Sequence, residues 1–452
     1  MTSQLLFTAL VLAVGVERLV ELAVSKRHAT WAFSRGGKEF GRGHFPAMVA
    51  LHTALLFGAL AEVWMLDRPF RPILGWVALA VVVASQTLRW WCIATLGRQW
   101  NTRVIVVPGL PLVSRGPYRL LRHPNYVAVV LEPRQGAIDK ACGEGLMPGG
   151  VRALAALGVN PVGWDLVGIR YVSVGRQAEA DFGAGPGRGV RRTELHTALH
   201  SVAASAGVKV LPLAAREVVQ SYGEVRVRTH GPGQTPGPDI YGRYLLAADG
   251  LHSPTRRALG LEVCTRGQQR FGQRRHYGLR PWSSHVEVHW GSYGEAYVTP
   301  VGADLVGVAI LSACRVPFEE QLNEFPQLRE RLVDASAATR VRGAGPLRQR
   351  VARRVAGRVL LVGDAGGYVD ALTGEGISLG IAQARAAVSA VQADRPHAYE
   401  RAWRRASWRY AAMTYALVQA TRPAWARQVI VPVAAVLPTV FRAAVRELER
   451  SH

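Results

Sequence analysis

Four cysteines in 452 residues, Cys92, Cys142, Cys264 and Cys314, leave little for covalent or metal cross-linking. They lie far apart and form no C-x-x-C pair, which argues against a zinc site or a disulfide framework and suits a reducing, cytoplasm-facing location. The N-terminus lacks the basic n-region and small-residue cleavage site of a signal peptide, so its apolar run reads as a retained span. Acidic residues are few: 32 Asp and Glu face 55 Lys and Arg, a net charge of +23. That balance suits nucleic acid or an anionic membrane. The arginines are scattered through both halves, with no basic helix and no nucleic-acid module, so the expected partner is the lipid bilayer and not nucleic acid. A G-x-G-x-x-G phosphate loop is also missing. GPGRG at 185–189 has the wrong spacing, and no strand reads into it.

What is present divides near residue 125. Three apolar segments, 4–24, 46–66 and 73–95, are each long enough to cross a bilayer of ~30 Å. Lys26, Arg27, Arg35, Lys38 and Arg42 follow the first segment, whereas only Arg68 and Arg71 follow the second. The positive-inside bias puts that first loop, and everything after the third helix, in the cytoplasm. Glu17 and Glu21, four residues apart, share a helix face that points into the bundle or snorkels to the interface. Residues 1–125 are therefore expected to form a membrane domain of about three transmembrane helices.

The string LGRQWNTRVIVVPGLPLVSRGPYRLLRHPNY, residues 96–126, resembles the isoprenylcysteine carboxyl methyltransferase family through its R-G-P-Y-R-x-x-R-H-P-x-Y core. The resemblance covers about residues 5–130. It implies S-adenosylmethionine as methyl donor, with His123, Pro124 and Tyr126 in a pocket at the membrane interface, where a polar nucleoside can reach. The helical hairpin and R-x-x-x-E-E-type motif that follow in that family are absent from this sequence.

The next run, YVAVVLEPR, is broken by Pro133 and Gly136 after about six apolar residues, too early for a span of ~20. It reads as a short buried strand, the second strand of a dinucleotide-binding fold. Glu132 at its end is placed to accept from ribose hydroxyls, with Arg134 beside it. Four later segments, 140–159, 189–199, 242–261 and 357–384, resemble in that order the FAD-dependent monooxygenase and geranylgeranyl reductase superfamily. The likeness covers nearly all of residues 130–445.

Each motif has its own chemistry. A buried strand at 359–362 delivers Gly363 and Asp364, whose carboxylate suits a ribityl hydroxyl. Gly374, Gly376 and Ile377 form a glycine-rich turn opening a helix, whose free N–H groups suit the FAD pyrophosphate. The strand at 244–248 leads to Asp249 and Gly250, and Ser253 caps the helix that follows. By the resemblance Asp249 is a second FAD contact, Arg256 meets phosphate and Arg192 stands near the flavin. Runs within 282–312 alternate as an antiparallel sheet over the flavin, and 399–449 is helical, either lipid-facing or a packed cap.

The expected fold class is an α-helical membrane domain followed by a partial α/β, Rossmann-type FAD/NAD(P)-binding region with an antiparallel substrate sheet and C-terminal helices. The boundaries are 1–125 and 126–452. The expected function is an FAD-dependent oxidoreductase, foremost a monooxygenase, using NAD(P)H on a hydrophobic aromatic, isoprenoid or phenolic lipid. An S-adenosylmethionine-dependent carboxyl methyltransferase and a catalytically defective fusion are the alternatives. No catalytic residue or metal ligand set stands out. The first βαβ unit, which should precede Glu132, is replaced by the methyltransferase-like string. Weak FAD binding is expected, because a helix N-terminus contributing about 0.3–2 kcal/mol is gone and a parallel edge lies open.

Overall fold

The computed structural model describes residues 2–40, 45–107, 116, 128–265 and 267–449. The chain divides into two compact units, Met1–Val127 and Ala128–His452.

The first unit holds three helices, α1 (Thr2–Phe33), α2 (Phe45–Met65) and α3 (Pro72–Leu96), and an antiparallel pair of strands, Lys38–Phe40 with Val104–Val106. Pro72 can begin α3 because its missing N–H would have had no partner there, and Gly97 follows the last turn. Of the three segments expected to cross a membrane, α3 is the helix that alone is long and apolar enough among the described residues. The apolar section of α2 is shorter, Val49–Met65, and α1 carries Glu17, Arg18 and Glu21 inside its run. Those acids face α3 rather than snorkel. Gln86 and Trp90 donate to Glu17, while Arg18 and Arg89 pair with Glu21, whose side chain is 3 % exposed.

The second unit is built on a sheet of eight strands. Along it run Ser336–Ala337, Phe271–Gly278, Leu305–Ser312, Gly294–Gly302, His285–Trp290, Gly168–Ser173 and Arg176–Asp181, with Arg342–Ala344 also paired to Phe271–Gly278. Neighbours are antiparallel except Gly168–Ser173, which runs parallel to His285–Trp290. Both faces are covered, and Leu305–Ser312, apolar along most of its length, is buried from its second residue onward. One face meets α7 (Phe318–Leu322) and α8 (Pro326–Arg331) through Phe318, Leu322 and Leu328. The other meets Val431, Phe441 and Val445 of α11 (Ala424–Val436) and α12 (Pro438–Leu448).

The parallel strands behave differently. Val129–Leu131 pairs with Lys209–Leu211, and Leu245–Ala247 pairs with Val359–Leu361, whose far side is taken by Val355–Ala356. These strips do not join into one sheet, although Leu131, Leu245, Ala247 and Leu361 share one apolar cluster. Val129, Val130 and Leu246 are left 37–42 % exposed. Each strip therefore leaves a row of strand N–H and C=O groups without a neighbour in its own sheet. Around the strips lie α4 (Pro148–Ala155), α5 (Arg192–Ser205), α6 (Pro254–Ala258) and α9 (Gly376–Gln392), with α10 (Ala398–Ala420) against α9.

The strip edges and centres should respond differently to substitution. L361A, at a site with no exposure, is expected to lower stability by about 3 kcal/mol through the cavity it leaves. V130K on the open strip should change it by less than about 0.5 kcal/mol. Denaturant midpoints in detergent check both, and an equal loss would contradict the split sheet.

Candidate functional site

Short backbone devices bring the polar groups together. Strand Val359–Leu361 ends in a tight turn, Gly363–Gly366, where Gly363 takes φ 62° and donates its N–H to Gln383 of α9 at 2.9 Å. Gly374, at φ 70°, lets the chain double back before α9 starts at Gly376. Strand Leu245–Ala247 delivers Asp249, whose Oδ2 accepts from the Thr255 N–H at 3.0 Å. Ser253 caps α6 by accepting from the Arg256 N–H at 2.9 Å.

These turns open on one cavity of about 2250 Å³, well above the ~300–1,000 Å³ of an ordinary ligand pocket. Of the residues expected at a cofactor site, Arg192, Asp249, Gly250, Gly363, Asp364, Gly374, Gly376 and Ile377 line it. Burial pushes the Asp364 carboxyl up, and the charges of Lys140 and Arg192 partly offset that. The lining also includes an apolar set, Ile169, Tyr171, Val288, Tyr297, Leu417 and Phe441. Burial raises the Tyr171 phenol to about 12, so it stays protonated.

Two sets of expected site residues do not line the cavity, and a third lies outside the described residues. Glu132 and Arg134 stand outside the cavity lining and bind each other at 2.8 Å, and the hydrogen bond from Arg134 holds the Glu132 carboxyl below its usual range. Arg256 does not present its guanidinium to a phosphate. It is fully buried and donates to the carbonyls of Leu251 at 2.8 Å and Ala365 at 3.2 Å and to Gln349 at 2.9 Å, because α6 turns it inward between the two cofactor-facing turns. His123, Pro124 and Tyr126 lie outside the described residues. Of their string Gly116 is described, at φ 60°; a Cβ there would lie 2.5 Å from Thr95 Oγ1, so α3 requires glycine at that point.

Sequence reasoning gave no role to a second set of residues. Lys140 borders Gly250, where a Cβ would stand 3.7 Å from its Nζ. Burial, with Arg134 and Arg192 nearby, lowers the Lys140 ammonium. Beneath it Arg274 and His276 bridge to Asp139 and Glu144, all four from the cavity floor or just behind it. Arg274 can only donate, so the 2.9 Å contact makes His276 Nδ1 an acceptor and leaves Nε2 to donate to Glu144. Glu144 in turn accepts the Arg192 N–H at the start of α5, at 2.8 Å. Burial pushes the Cys142 thiol up, so it is a neutral lining group. The only signal for this set was a run of charged and small residues, KACGEG, whose side-chain partners Arg274 and His276 lie more than a hundred positions away.

With this geometry in view, the comparisons with known proteins concern each unit separately. The isoprenylcysteine carboxyl methyltransferase (ICMT) family pattern matches residues 76–134. An uncharacterized protein of Bacillus subtilis, YpbQ, is 36 % identical over 128 residues, which is 28 % of this chain and 75 % of YpbQ. Through its first unit the chain belongs to the ICMT family. The rest is similar to a menaquinone reductase of Mycobacterium tuberculosis, 29 % identical over 278 residues, which is 55 % of this chain and 66 % of the reductase. The chain thus spans just under two thirds of that relative. In fold it resembles the myxobacterial chondrochloren halogenase CndH, a FAD-dependent halogenase, with a TM-score of 0.58 at 18 % identity over 71 % of this chain and 85 % of that one. The ICMT-family unit is thus followed by a sheet-rich unit with a FAD-binding flavoprotein fold and C-terminal helices.

Two outcomes check the site. R256M should lower stability by about 3 kcal/mol, because it strands buried carbonyls, whereas E262A, its half-exposed partner, should cost at most about 1 kcal/mol; urea midpoints decide. For Asp364 the folded state binds the proton more tightly than the unfolded one, so stability falls as pH rises from the ordinary carboxyl value of 3.8 through the raised folded one. Flavin-free D364N should therefore melt higher than the parent at neutral pH and lose that advantage below about pH 4. Parallel Tm–pH profiles would refute this.

Proposed function

We propose that the second unit is an FAD-dependent oxidoreductase that reduces a hydrophobic, prenylated quinone-like lipid, with a reduced nicotinamide as electron donor. The observation that carries this reading is a single cavity lined both by cations and glycine turns and by a set of apolar side chains. The residues present fit the cofactor at the cations and glycine turns. Lys140, Arg192 and the α9 N-terminus suit its pyrophosphate, and Asp249 and Asp364 suit its hydroxyls. Bound there, the flavin supplies two-electron transfer. The chain's own contribution is to orient it, to keep Asp364 next to two cations, and to exclude water from the apolar lining around Tyr171, Tyr297 and Phe441. Similarity to a menaquinone reductase favours reduction. Hydroxylation, the foremost expectation from sequence, uses the same lining but needs oxygen.

The broken parallel sheet supports weak cofactor binding, since the strand, turn and helix that would cover the pyrophosphate's other side are replaced. For the first unit, the ICMT-family match spanning His123, Pro124 and Tyr126 favours a second reading, S-adenosylmethionine-dependent methyl transfer to a lipid carboxyl. Transfer of labelled methyl to a prenylated carboxyl acceptor checks it, and no incorporation removes it.

Purified in detergent, the full chain should carry sub-stoichiometric flavin in its visible spectrum and take up more when FAD is added. K140M should weaken that uptake about ten-fold or more, as expected for loss of a charge-assisted contact. Turnover of a prenylated quinone with NADPH should persist without oxygen. Oxygen-dependent product would instead mean hydroxylation, and no binding at saturating FAD would overturn the reading.

A further inference from the structure

The C-terminal helices carry a surface that the cavity chemistry does not use. Helix α11 buries Val431 and Ala434 against the large sheet, and α12 buries Phe441 and Val445 there. Its other side is open: Trp425 is 67 % and Val436 76 % exposed, with Val429, Val433 and Val440 also bare. At the joint between the helices the whole run Ala435–Val440 (AVLPTV) is exposed. The two helices together are long and apolar enough for a membrane span, but they are bent by 103° at Leu437 and cannot form a straight one. A bent apolar pair with one face fixed on a folded sheet can lie in a membrane surface but not cross it.

Charge identifies the partner. From residue 400 to 449 the sequence has eight arginines against three glutamates, and of the eight Arg404 and Arg409 are paired with Glu400 and Glu447. A second copy of this chain would bring like charges together, whereas an anionic bilayer would complement them. The membrane is already at hand, because α3 of the same chain is long and apolar enough to span one. The cavity also reaches this surface. Its lining includes the exposed Ala416 and Ala420 of α10 and Ala444 of α12, and these two helices are pinned together beside it by Arg409 and Glu447 at 2.7 Å.

We propose that the α11–α12 elbow docks the second unit on an anionic bilayer, with its apolar knuckle in the acyl boundary, and so turns the cavity mouth between α10 and α12 towards lipid. The docking does not rest on the redox reading, because it requires no cofactor and no turnover.

The full chain, reconstituted in mixed phosphatidylcholine–phosphatidylglycerol vesicles with a trace of phospholipid bearing an acyl-chain diazirine, is photolysed and its labelled peptides are mapped by mass spectrometry. Peptides from 424–441 should be labelled about ten-fold more than those of the hairpin Ala214–Ser221/Glu224–His230. Labelling of α3 is the internal control. Omitting phosphatidylglycerol should reduce elbow labelling several-fold and leave α3 unchanged; equal elbow labelling in neutral vesicles would overturn the electrostatic part. L437D, at an exposed site, should lower elbow labelling alone; if it also perturbs folding, the parent chain's peptide ratio still decides. Hairpin-level labelling of the elbow would overturn the proposal. So would an elbow shielded from both lipid and aqueous hydroxyl radicals, since that would mean a protein partner.

Discussion

A single buried guanidinium, Arg256, ties together the two turns on which the cavity depends. Its terminal nitrogens reach the carbonyl of Leu251, beyond Asp249, and that of Ala365, beyond Asp364. In a complete parallel sheet, hydrogen bonding to a central strand would help to hold such turns. Here Leu245–Ala247 has an open edge, and the cross-link between the turns does not depend on the absent strand. A charge with no exposure is tolerated because it makes directed bonds to carbonyls, which would otherwise be buried without partners.

The cavity floor follows the same logic. Arg274, His276, Glu144 and Asp139 interlock strand Phe271–Gly278 with the segment before α4 and with the start of α5. Because Arg274 donates to His276, the imidazole is a fixed neutral tautomer and a relay of position, not of charge. Above this floor Lys140 and Arg192 oppose the burial of Asp364. A carboxylate kept in so dry a place weakens the fold when ionised, which marks the site as built for a ligand that gives it a partner.

The two units answer burial in different ways. In the first, Glu17 and Glu21 are matched by Gln86, Arg89 and Trp90 across α1 and α3, since an unpaired carboxylate among apolar helices would be costly. In the second, the apolar cavity lining and the α11–α12 elbow are hydrophobic surfaces that a purely aqueous protein has no reason to keep. The substrate class proposed above, a hydrophobic lipid, would give both a common purpose.

The sequence by itself determined what depends on a few adjacent residues. Glycine–aspartate strand ends, the Ser253 cap, the start of α3 at Pro72 and the apolar runs of the large sheet were all legible, because backbone geometry and side-chain periodicity act over one turn or one strand. The missing βαβ unit was legible for the same reason, as a motif absent from its place. Tertiary structure alone decided that Arg256 turns inward, that Glu132 is taken by Arg134, that the parallel strands part into two strips and that Arg274, His276, Asp139 and Glu144 interlock beneath Lys140. Several of those outcomes depend on which charge meets which over long stretches of chain, as Arg274 meets Asp139 and His276 meets Glu144. Neither spacing nor composition encodes that choice; it is made when burial forces each polar group to find the nearest partner the fold provides.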